Sequence, residues 1–330
     1  MNLGIIGTNF ISGWLVEAAA NLTDICIHSI YSRKIATGTD FGAKYGVTRV
    51  FDDLESFLSD PELEAVYVAS PNAFHCDQTV AALNHGKHVL VEKPAASNRR
   101  ELDEMIAAAE KNNVVLMEAM RAAYIPGYQW VIDKLPKLGT IRSAQFQFCQ
   151  YSSRYDKFKA GEVLNAFKPE LSNAAVMDIG VYALHLFLRL FGAPKTVQAS
   201  SVILSNGMEG TGTALLGYTD MVGAVVWSKI TDGIGPSVIQ GENGSISINH
   251  LTQFTDGRLV LRNGETDEYI YDGPANNMCY ELDVFTQLVN KKQSDPSADV
   301  SDILNTTKLC LEVMDEIRCQ AGITFPADSK

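Results

Sequence analysis

The chain has 330 residues, 46% of them hydrophobic and 20% charged, the composition of a folded globular protein long enough for two domains. Its formal net charge of -12 argues against a nucleic-acid or anionic-membrane surface, so an anionic ligand would need a local basic pocket. The opening apolar run is short and lacks a basic lead, no apolar stretch approaches the ~20 residues of a membrane span, and the 6 cysteines and 6 histidines lack CxxC, HExxH or cage-like spacing, so a cytoplasmic protein with reduced thiols and no metal is expected.

In chain order, short β-branched runs alternate with amphipathic stretches as far as Met117. Leu3–Ile6, Ile25–Tyr31, Thr48–Phe51, Ala65–Ala69, His88–Val91 and Val114–Met117 predict strands, with helices over Phe10–Ala20, Ala36–Tyr45, His75–Asn84 and Arg99–Lys111. Such alternation implies βαβ units and a doubly wound parallel sheet. Beyond Pro126 come a helix around Tyr128–Lys134, a strand Ile141–Gln150, an irregular polar stretch to Leu171 and a long apolar helix Ala174–Phe191. The runs Thr196–Leu204, Thr211–Tyr218, Gly223–Lys229, Ser237–Gln240, Ser245–Ile248, Arg258–Leu261 and Glu268–Tyr271 then follow without helices between them, and helices near Met278–Asn290 and Val300–Gln320 close the chain. Strands in succession predict an antiparallel or mixed sheet, hence an α/β domain over residues 1–121 and an α+β domain over residues 122–330. One face of that second sheet has no helix to cover it, which suggests a contact between copies of the chain.

The segment from Leu3 to Ser12, LGIIGTNFIS, reads as a strand-to-helix turn, where free backbone amides and the positive helix end make an anion site. In the dinucleotide fingerprint G-x-G-x-x-G/A the middle glycine admits the pyrophosphate and the third small residue lets helix and strand pack closely. Ser12 supplies the small residue here, while Asn9 stands in place of the middle glycine. Asparagine tolerates positive φ and can donate a side-chain N–H, so Asn9 is expected in a glycine-tolerant backbone or on the phosphate itself. A turn without a ligand is the alternative. The end of the second strand favours a ligand: no acid occurs from Ile25 to Thr39, where an NAD enzyme wants one for its ribose, and Ser32-Arg33-Lys34 form a donor set suited to a 2′-phosphate. NADP(H) is therefore expected over NAD(H), against the alternative of an exposed basic turn.

The fifth run ends in Glu92-Lys93-Pro94, on the side of the sheet where ligands of doubly wound folds bind. Pro94 lacks an amide hydrogen and biases Lys93 toward extended geometry, which aims the ammonium group. A lysine held there can hydrogen-bond a substrate hydroxyl and stabilise a developing alkoxide, whereas the alternative is a surface salt bridge with Glu92.

The segments Gly7-Thr8-Asn9-Phe10-Ile11, Ser70-Pro71-Asn72-Ala73-Phe74-His75 and Glu92-Lys93-Pro94, in this order and spacing, resemble the glucose-fructose oxidoreductase / inositol dehydrogenase (Gfo/Idh/MocA) family. The resemblance implies an N-terminal Rossmann domain holding a nicotinamide cofactor and a C-terminal domain with an open, mostly antiparallel sheet. It also implies homodimers or homotetramers, Lys93 as the catalytic lysine, and Ser70, Pro71, Asn72 and His75 lying along the cofactor with the glycine turn and Glu92.

In the long apolar helix the polar residues Asp178, Tyr182, His185 and Arg189 recur at i, i+4, i+7 and i+11, one stripe of a regular helix. Each buried polar group left without a partner would cost ~1–3 kcal/mol, so the stripe is expected to face a polar cavity or a network. At about 1.5 Å per residue, Asp178 to His185 spans roughly 10 Å, within reach of one sugar-sized ligand, and Arg189 lies a turn beyond in a structural role. The family's D-x-G-x-H/Y motif matches Asp178, Gly180 and Tyr182, which implies Tyr182 as proton donor or acceptor, as in the sugar and dihydrodiol dehydrogenase branch. Asp178 would orient a substrate hydroxyl or keep Lys93 protonated. His185 either tunes Tyr182, binds substrate or is a satisfied core histidine, and Phe167 and Lys168 in the preceding loop are candidate substrate contacts. Where the family commonly has glycines before this helix, the chain has Asn173 and Ala174.

The expected activity is NADP(H)-dependent hydride transfer at a secondary alcohol or hemiacetal carbon of a sugar, polyol or cyclic diol, with Lys93 and Tyr182 handling the proton. Its rivals are a non-catalytic NADP(H)-binding sensor or scaffold, and an enzyme that oxidises transiently to drive elimination or epimerisation.

Overall fold

Continuous apolar runs such as Ala65–Val68 and Val89-Leu90-Val91 suit strands covered on both faces, and the residues of both are buried throughout. The computed structural model describes residues 1–329 and divides into two compact units, residues 1–120 with 274–305, and residues 121–273 with 306 onward. In the first unit β1 (Asn2–Ile6), β2 (Cys26–Tyr31), β3 (Val50–Phe51), β4 (Ala65–Val68), β5 (His88–Glu92) and β6 (Leu116–Ala119) form a parallel sheet in the order β3-β2-β1-β4-β5-β6. The connections are α1 (Phe10–Ala19), α2 (Ile35–Tyr45), α3 (Leu54–Leu58), α4 (His75–Asn84) and α5 (Arg99–Asn112). The strand order reverses between β1 and β4, the switch point where doubly wound sheets bind ligands. The short α3 has no counterpart in the sequence reading, because five residues carry too little periodicity; Asp53 starts it by accepting the Ser56 amide at 2.7 Å.

The second unit holds α6 (Pro126–Lys134), α7 (Tyr155–Lys159), α8 (Val181–Phe191) and an eight-stranded sheet. Its strands are β7 (Ile141–Cys149), β8 (Thr196–Ile203), β9 (Glu209–Gly217), β10 (Val222–Ser228), β11 (Ser237–Gly241), β12 (Gly244–Asn249), β13 (Asp256–Leu261) and β14 (Thr266–Ile270), in the order β14-β13-β12-β11-β7-β10-β9-β8. Every neighbouring pair is antiparallel except β7 with β10. The α8 side of the sheet carries the core, including Phe146, Val225, Trp227 and Ile239. Cross-strand register puts Gln198, Leu215, Ala224, Gln145, Val238, Ser247, Arg258 and Glu268 in one row on the other face, and none of them is buried.

Two features depart from the sequence reading. After β14 the chain returns to the first unit: α9 (Met278–Ser294) buries Met278, Leu282, Phe285 and Val289 and packs on α1, while α10 (Asn305–Ala321) belongs mainly to the second unit. The spacing of those apolar residues marks one buried helix face but carries no label for its partner. The helical run Pro169–Phe191, with mean hydropathy 1.6, is by length and composition apolar enough to cross a bilayer, contrary to expectation. Its burial, 78% of the apolar window, accounts for that character as core packing.

Candidate functional site

One cluster of candidate site residues gathers at the carboxyl ends of β1, β2, β4 and β5. Gly7 follows β1 with φ +109, and a Cβ added there would stand 2.7 Å from the Ala69 carbonyl oxygen, so only glycine fits this turn. Asn9 behaves otherwise than expected. Its backbone is extended at φ -87, ψ -178, its Oδ1 accepts the amides of Ile11 (3.0 Å) and Ser12 (3.1 Å), and its Nδ2 donates to Ala69 O at 2.7 Å. Asn9 is thus an N-cap that also ties the turn to the end of β4, and needs no left-handed backbone. Thr8 is half-buried, and Phe10 and Ile11 open the helix with Phe10 largely exposed.

At the end of β2, Ser32 donates its amide to Phe51 O at 3.0 Å, and Arg33 and Lys34 are exposed. The Arg33 guanidinium sits 5.6 Å from the centroid of the Phe74 ring, in the turn after β4 that also carries half-buried Ser70, Pro71 and Asn72. His75 opens α4 almost fully buried, its ring nitrogens 2.9 Å from the carbonyl oxygens of Pro94 and Ser70. Burial pushes its pKa down, so the neutral ring donates to one of the two. His75 is therefore an internal pin between the turns after β4 and β5, in the segment that the family resemblance sets along the cofactor.

Glu92 is also internal. It accepts the Tyr67 hydroxyl at 2.5 Å and the Lys93 amide at 3.2 Å, while Glu118 on the adjacent β6 accepts the Ala95 amide at 2.9 Å. Because Glu92 is buried, a surface salt bridge does not describe the Glu92-Lys93 pair. Two buried carboxylates thus fix the segment that presents half-buried Lys93, whose peptide bond to Pro94 is cis. The residues fit a nicotinamide dinucleotide: a glycine-only cradle at the switch point, a helix N-terminus, and a basic, acid-free end of β2.

In the second unit the helix is regular only from Val181. Val176–Gly180 form a π-helical turn, and a Cβ on Gly180 would meet Trp227 Cγ at 2.9 Å. Fully buried Glu209 holds this turn, accepting the Val176 amide (2.7 Å), Trp227 Nε1 (2.7 Å) and Ser201 Oγ (2.9 Å). Burial pushes the Glu209 carboxyl up, and those bonds oppose the shift. Asp178 pairs with Lys229 at 2.6 Å, Tyr182 lies edge-on to Phe148 with the Arg121 guanidinium 5.9 Å from its ring centroid, and His185 is buried. Burial, with Arg189 nearby, pushes the His185 pKa down to about 3, so the ring is neutral. Arg189 donates to Ala123 O at 2.5 Å and stacks on Tyr124 and Tyr128, a structural place as expected. Of the four, Asp178 reaches Lys229, Tyr182 packs on Phe148, His185 lies in the core and Arg189 meets Tyr124 and Tyr128.

Phe167 is fully buried, stacked with Tyr155 and Phe158, so it supports the loop from inside; Lys168 is half-buried and accepts Asn173 Nδ2 at its carbonyl. Asn173, in a position the family commonly gives to glycine, ties the loop further by donating to Asn165 O at 2.8 Å. The sequence reading missed Lys229, Glu209 and Arg121. Lys229 is only 2% exposed at the end of β10, and a lysine closing an apolar strand was the available signal. His28, Asp60 and Glu62 cluster with metal-like spacing among the described residues, but Arg49 pairs with both Asp60 and Glu62, which makes the group an ion-pair network.

Comparison with known proteins agrees with this architecture. A family model described as "Oxidoreductase family, NAD-binding Rossmann fold" matches residues 1–120, and one for the GFO/IDH/MocA C-terminal domain matches residues 136–247. The chain is 41% identical over 328 residues, 99% of each chain, to a scyllo-inositol 2-dehydrogenase (NADP(+)) of Bacillus subtilis. It is 26% identical to the trans-1,2-dihydrobenzene-1,2-diol dehydrogenase of Xenopus tropicalis, covering 98% of both. Among solved structures, a 3-ketoreductase from Actinomadura kijaniata with NADP and TDP-benzene superposes with a TM-score of 0.82 at 20% identity over 97% of this chain and 98% of that one, a likeness of fold.

Proposed function

Because the chain belongs to the Gfo/Idh/MocA oxidoreductase family, we propose that it is an NADP(H)-dependent dehydrogenase or reductase acting at a secondary alcohol or hemiacetal carbon of a sugar, polyol or cyclic diol. The carrying observation is the constellation at the carboxyl ends of β1, β2, β4 and β5: the Gly7 cradle, the basic Ser32-Arg33-Lys34 turn and the pinned Lys93. Gly7, Thr8, Asn9, Phe10 and Ile11 form the pyrophosphate turn, Arg33 and Lys34 meet the 2′-phosphate, and Ser70, Pro71 and Asn72 line the cofactor's path. When bound, the nicotinamide supplies the hydride chemistry.

The chain's own residues handle everything else. Lys93, held by buried Glu92 and His75 through its neighbours, donates a hydrogen bond to the reacting oxygen and stabilises negative charge there. Tyr182 exchanges the hydroxyl proton, its ring fixed by Phe148 and Arg121. Asp178 accepts a hydrogen bond from a neighbouring substrate hydroxyl and so orients the ring. Keeping Lys93 protonated is the alternative role for Asp178, whose carboxylate also pairs with Lys229. The 41% relative acts on an inositol, which supports a cyclic polyol as substrate. The uncovered face of the eight-stranded sheet is the proposed homodimer or homotetramer contact, and the free cysteines suit a reducing cytoplasm.

The test is direct. Wild-type protein with NADP+ and scyllo-inositol should generate reduced cofactor, while Lys93→Met and Tyr182→Phe should each lower kcat by roughly a hundredfold or more. Tight NADPH binding with no turnover of any polyol, ketose or dihydrodiol would instead favour a sensor, and product formed without net cofactor change would favour epimerisation or elimination.

A further inference from the structure

An ammonium group placed where water cannot reach it is expensive unless its partners replace its hydration. Lys229 has this problem, and three elements solve it. Its Nζ is 2.6 Å from Asp178 Oδ2, donates to Ala166 O at 2.8 Å, and stands 4.9 Å from the centroid of the Phe167 ring. These partners belong to the π turn before α8, the short turn Asn165–Phe167 and the aromatic stack of Tyr155, Phe158 and Phe167. The exposure of the pair is lopsided: 3% for the lysine side chain and 35% for the aspartate. A carboxylate that already reaches water needs no buried counter-ion for its own solvation. What a buried lysine adds is direction, because one oxygen is held from below while the group remains reachable from solvent.

We propose that Lys229 is the positioning residue of the substrate half of the site: it locks the Asp178 carboxylate and the Ala166–Phe167 turn into one arrangement, so that Asp178 serves as a fixed acceptor for a substrate hydroxyl and not as the proton carrier. This rests on the dehydrogenase reading above. Lys229 acts through Asp178 and the turn, so its loss falls on substrate capture, whereas the cofactor half, built from β1, β2, β4 and β5, keeps its affinity. Arginine at this position retains the charge and can still pair with the carboxylate, but its fork does not reproduce a single buried Nζ.

The experiment compares wild type, Lys229→Met, Lys229→Arg, Asp178→Asn and the Lys229→Met/Asp178→Asn double variant, with scyllo-inositol and NADP+ as substrates and NADPH titration as an activity-independent readout. Lys229→Met should raise the KM for scyllo-inositol roughly ten- to a hundredfold, the usual scale for losing a hydrogen bond to a charged group, with a smaller change in kcat and an unchanged Kd for NADPH. Lys229→Arg should recover part of the loss. The double variant should have a kcat/KM no lower than Asp178→Asn alone, because with the carboxylate gone the lysine no longer positions the acceptor of the substrate hydroxyl. Should Lys229→Met fail to bind NADPH, Lys229→Arg and the double variant carry the comparison. An unchanged KM in active, folded Lys229→Met, or losses that simply multiply in the double variant, would overturn the proposal alone. Wild type that binds NADPH but turns over no polyol would instead overturn the dehydrogenase reading, and this role with it.

Discussion

Replacing Asn9 tests the most unexpected piece of the cofactor turn, because one side chain there does three jobs. In Asn9→Ala the cap on the Ile11 and Ser12 amides disappears, at a cost of about 1 kcal/mol. The bond from Nδ2 to Ala69 O is lost too, worth about 1 kcal/mol more. The first unit should therefore lose roughly 2 kcal/mol in all. Asn9→Gly loses the same cross-link, but a glycine N-cap costs only a few tenths of a kcal/mol, so its loss should be about 1–1.5 kcal/mol. Glycine also releases two helix-terminal amides from Oδ1, and these become available to a pyrophosphate. Urea unfolding should rank wild type above Asn9→Gly above Asn9→Ala, while NADPH titration should show Asn9→Gly binding at least as tightly as wild type. An alanine variant as stable as wild type would refute the capping argument, and a glycine variant with much weaker NADPH binding would show that the asparagine amide itself is needed by the cofactor.

Three other outcomes follow from the same geometry. Burial lowers His88 to about 4 and His185 to about 3, so both folded histidines are neutral. Above the ordinary value near 6.5 neither state is protonated and stability is complete; below it the unfolded chain takes up protons that the folded one refuses, and each histidine should cost about 1.4 kcal/mol per pH unit until its folded value is reached. His185→Phe should remove its share of that slope in denaturation measured between about pH 6 and about pH 4, and an unaltered slope would contradict the assignment. Arg33→Ala should weaken NADPH by roughly ten- to a hundredfold with little effect on NADH, whereas equal losses would dismiss a 2′-phosphate contact. Gly180→Ala forces a Cβ to 2.9 Å from Trp227 and should destabilise by about 1–3 kcal/mol with a shifted tryptophan emission; no change in either would mean that the π turn tolerates a side chain.

Where local pattern and burial coincide, the fold was legible. The runs in β1, β4 and β5 are apolar because both faces of a parallel strand are covered, so composition alone marked them, and alternation with helical periods implied a doubly wound parallel sheet. The strands from β8 to β14 were likewise marked by turns and alternation. What failed needed information from a distant part of the chain. The apolar stripe of α9 is visible in the sequence, but its packing on α1, more than 250 residues earlier, is decided by tertiary fit. The five residues of α3 offer barely one turn of periodicity, so its cap at Asp53 is the clearer sign.

The candidate site divides along the same line, and Val176–Gly180 shows why. Spacing at i, i+4, i+7 and i+11 assumes 3.6 residues per turn, and the assumption holds from Val181 onward. It breaks one turn earlier, because Gly180 must approach the Trp227 ring and the Val176 amide must meet Glu209, and the chain meets both demands by widening the turn. In this turn Asp178 reaches Lys229, while His185 stays in the core and Arg189 joins the tyrosines of α6 and the segment before it. Residue identity thus named Asp178 and Tyr182 from the local motif. The groups that aim and support them, Lys229, Glu209 and Arg121, come from β10, β9 and the start of the second unit, where no local period points to the helix. The same holds in the first unit, where Lys93 was legible as the last residue before Pro94, but the buried Glu92, Glu118 and His75 that fix its backbone became readable only once β4, β5 and β6 lay side by side. A site assembled from strand ends discloses its reactive groups in short motifs and hides their supports in neighbouring strands, so the supports are where substitutions should separate binding from chemistry.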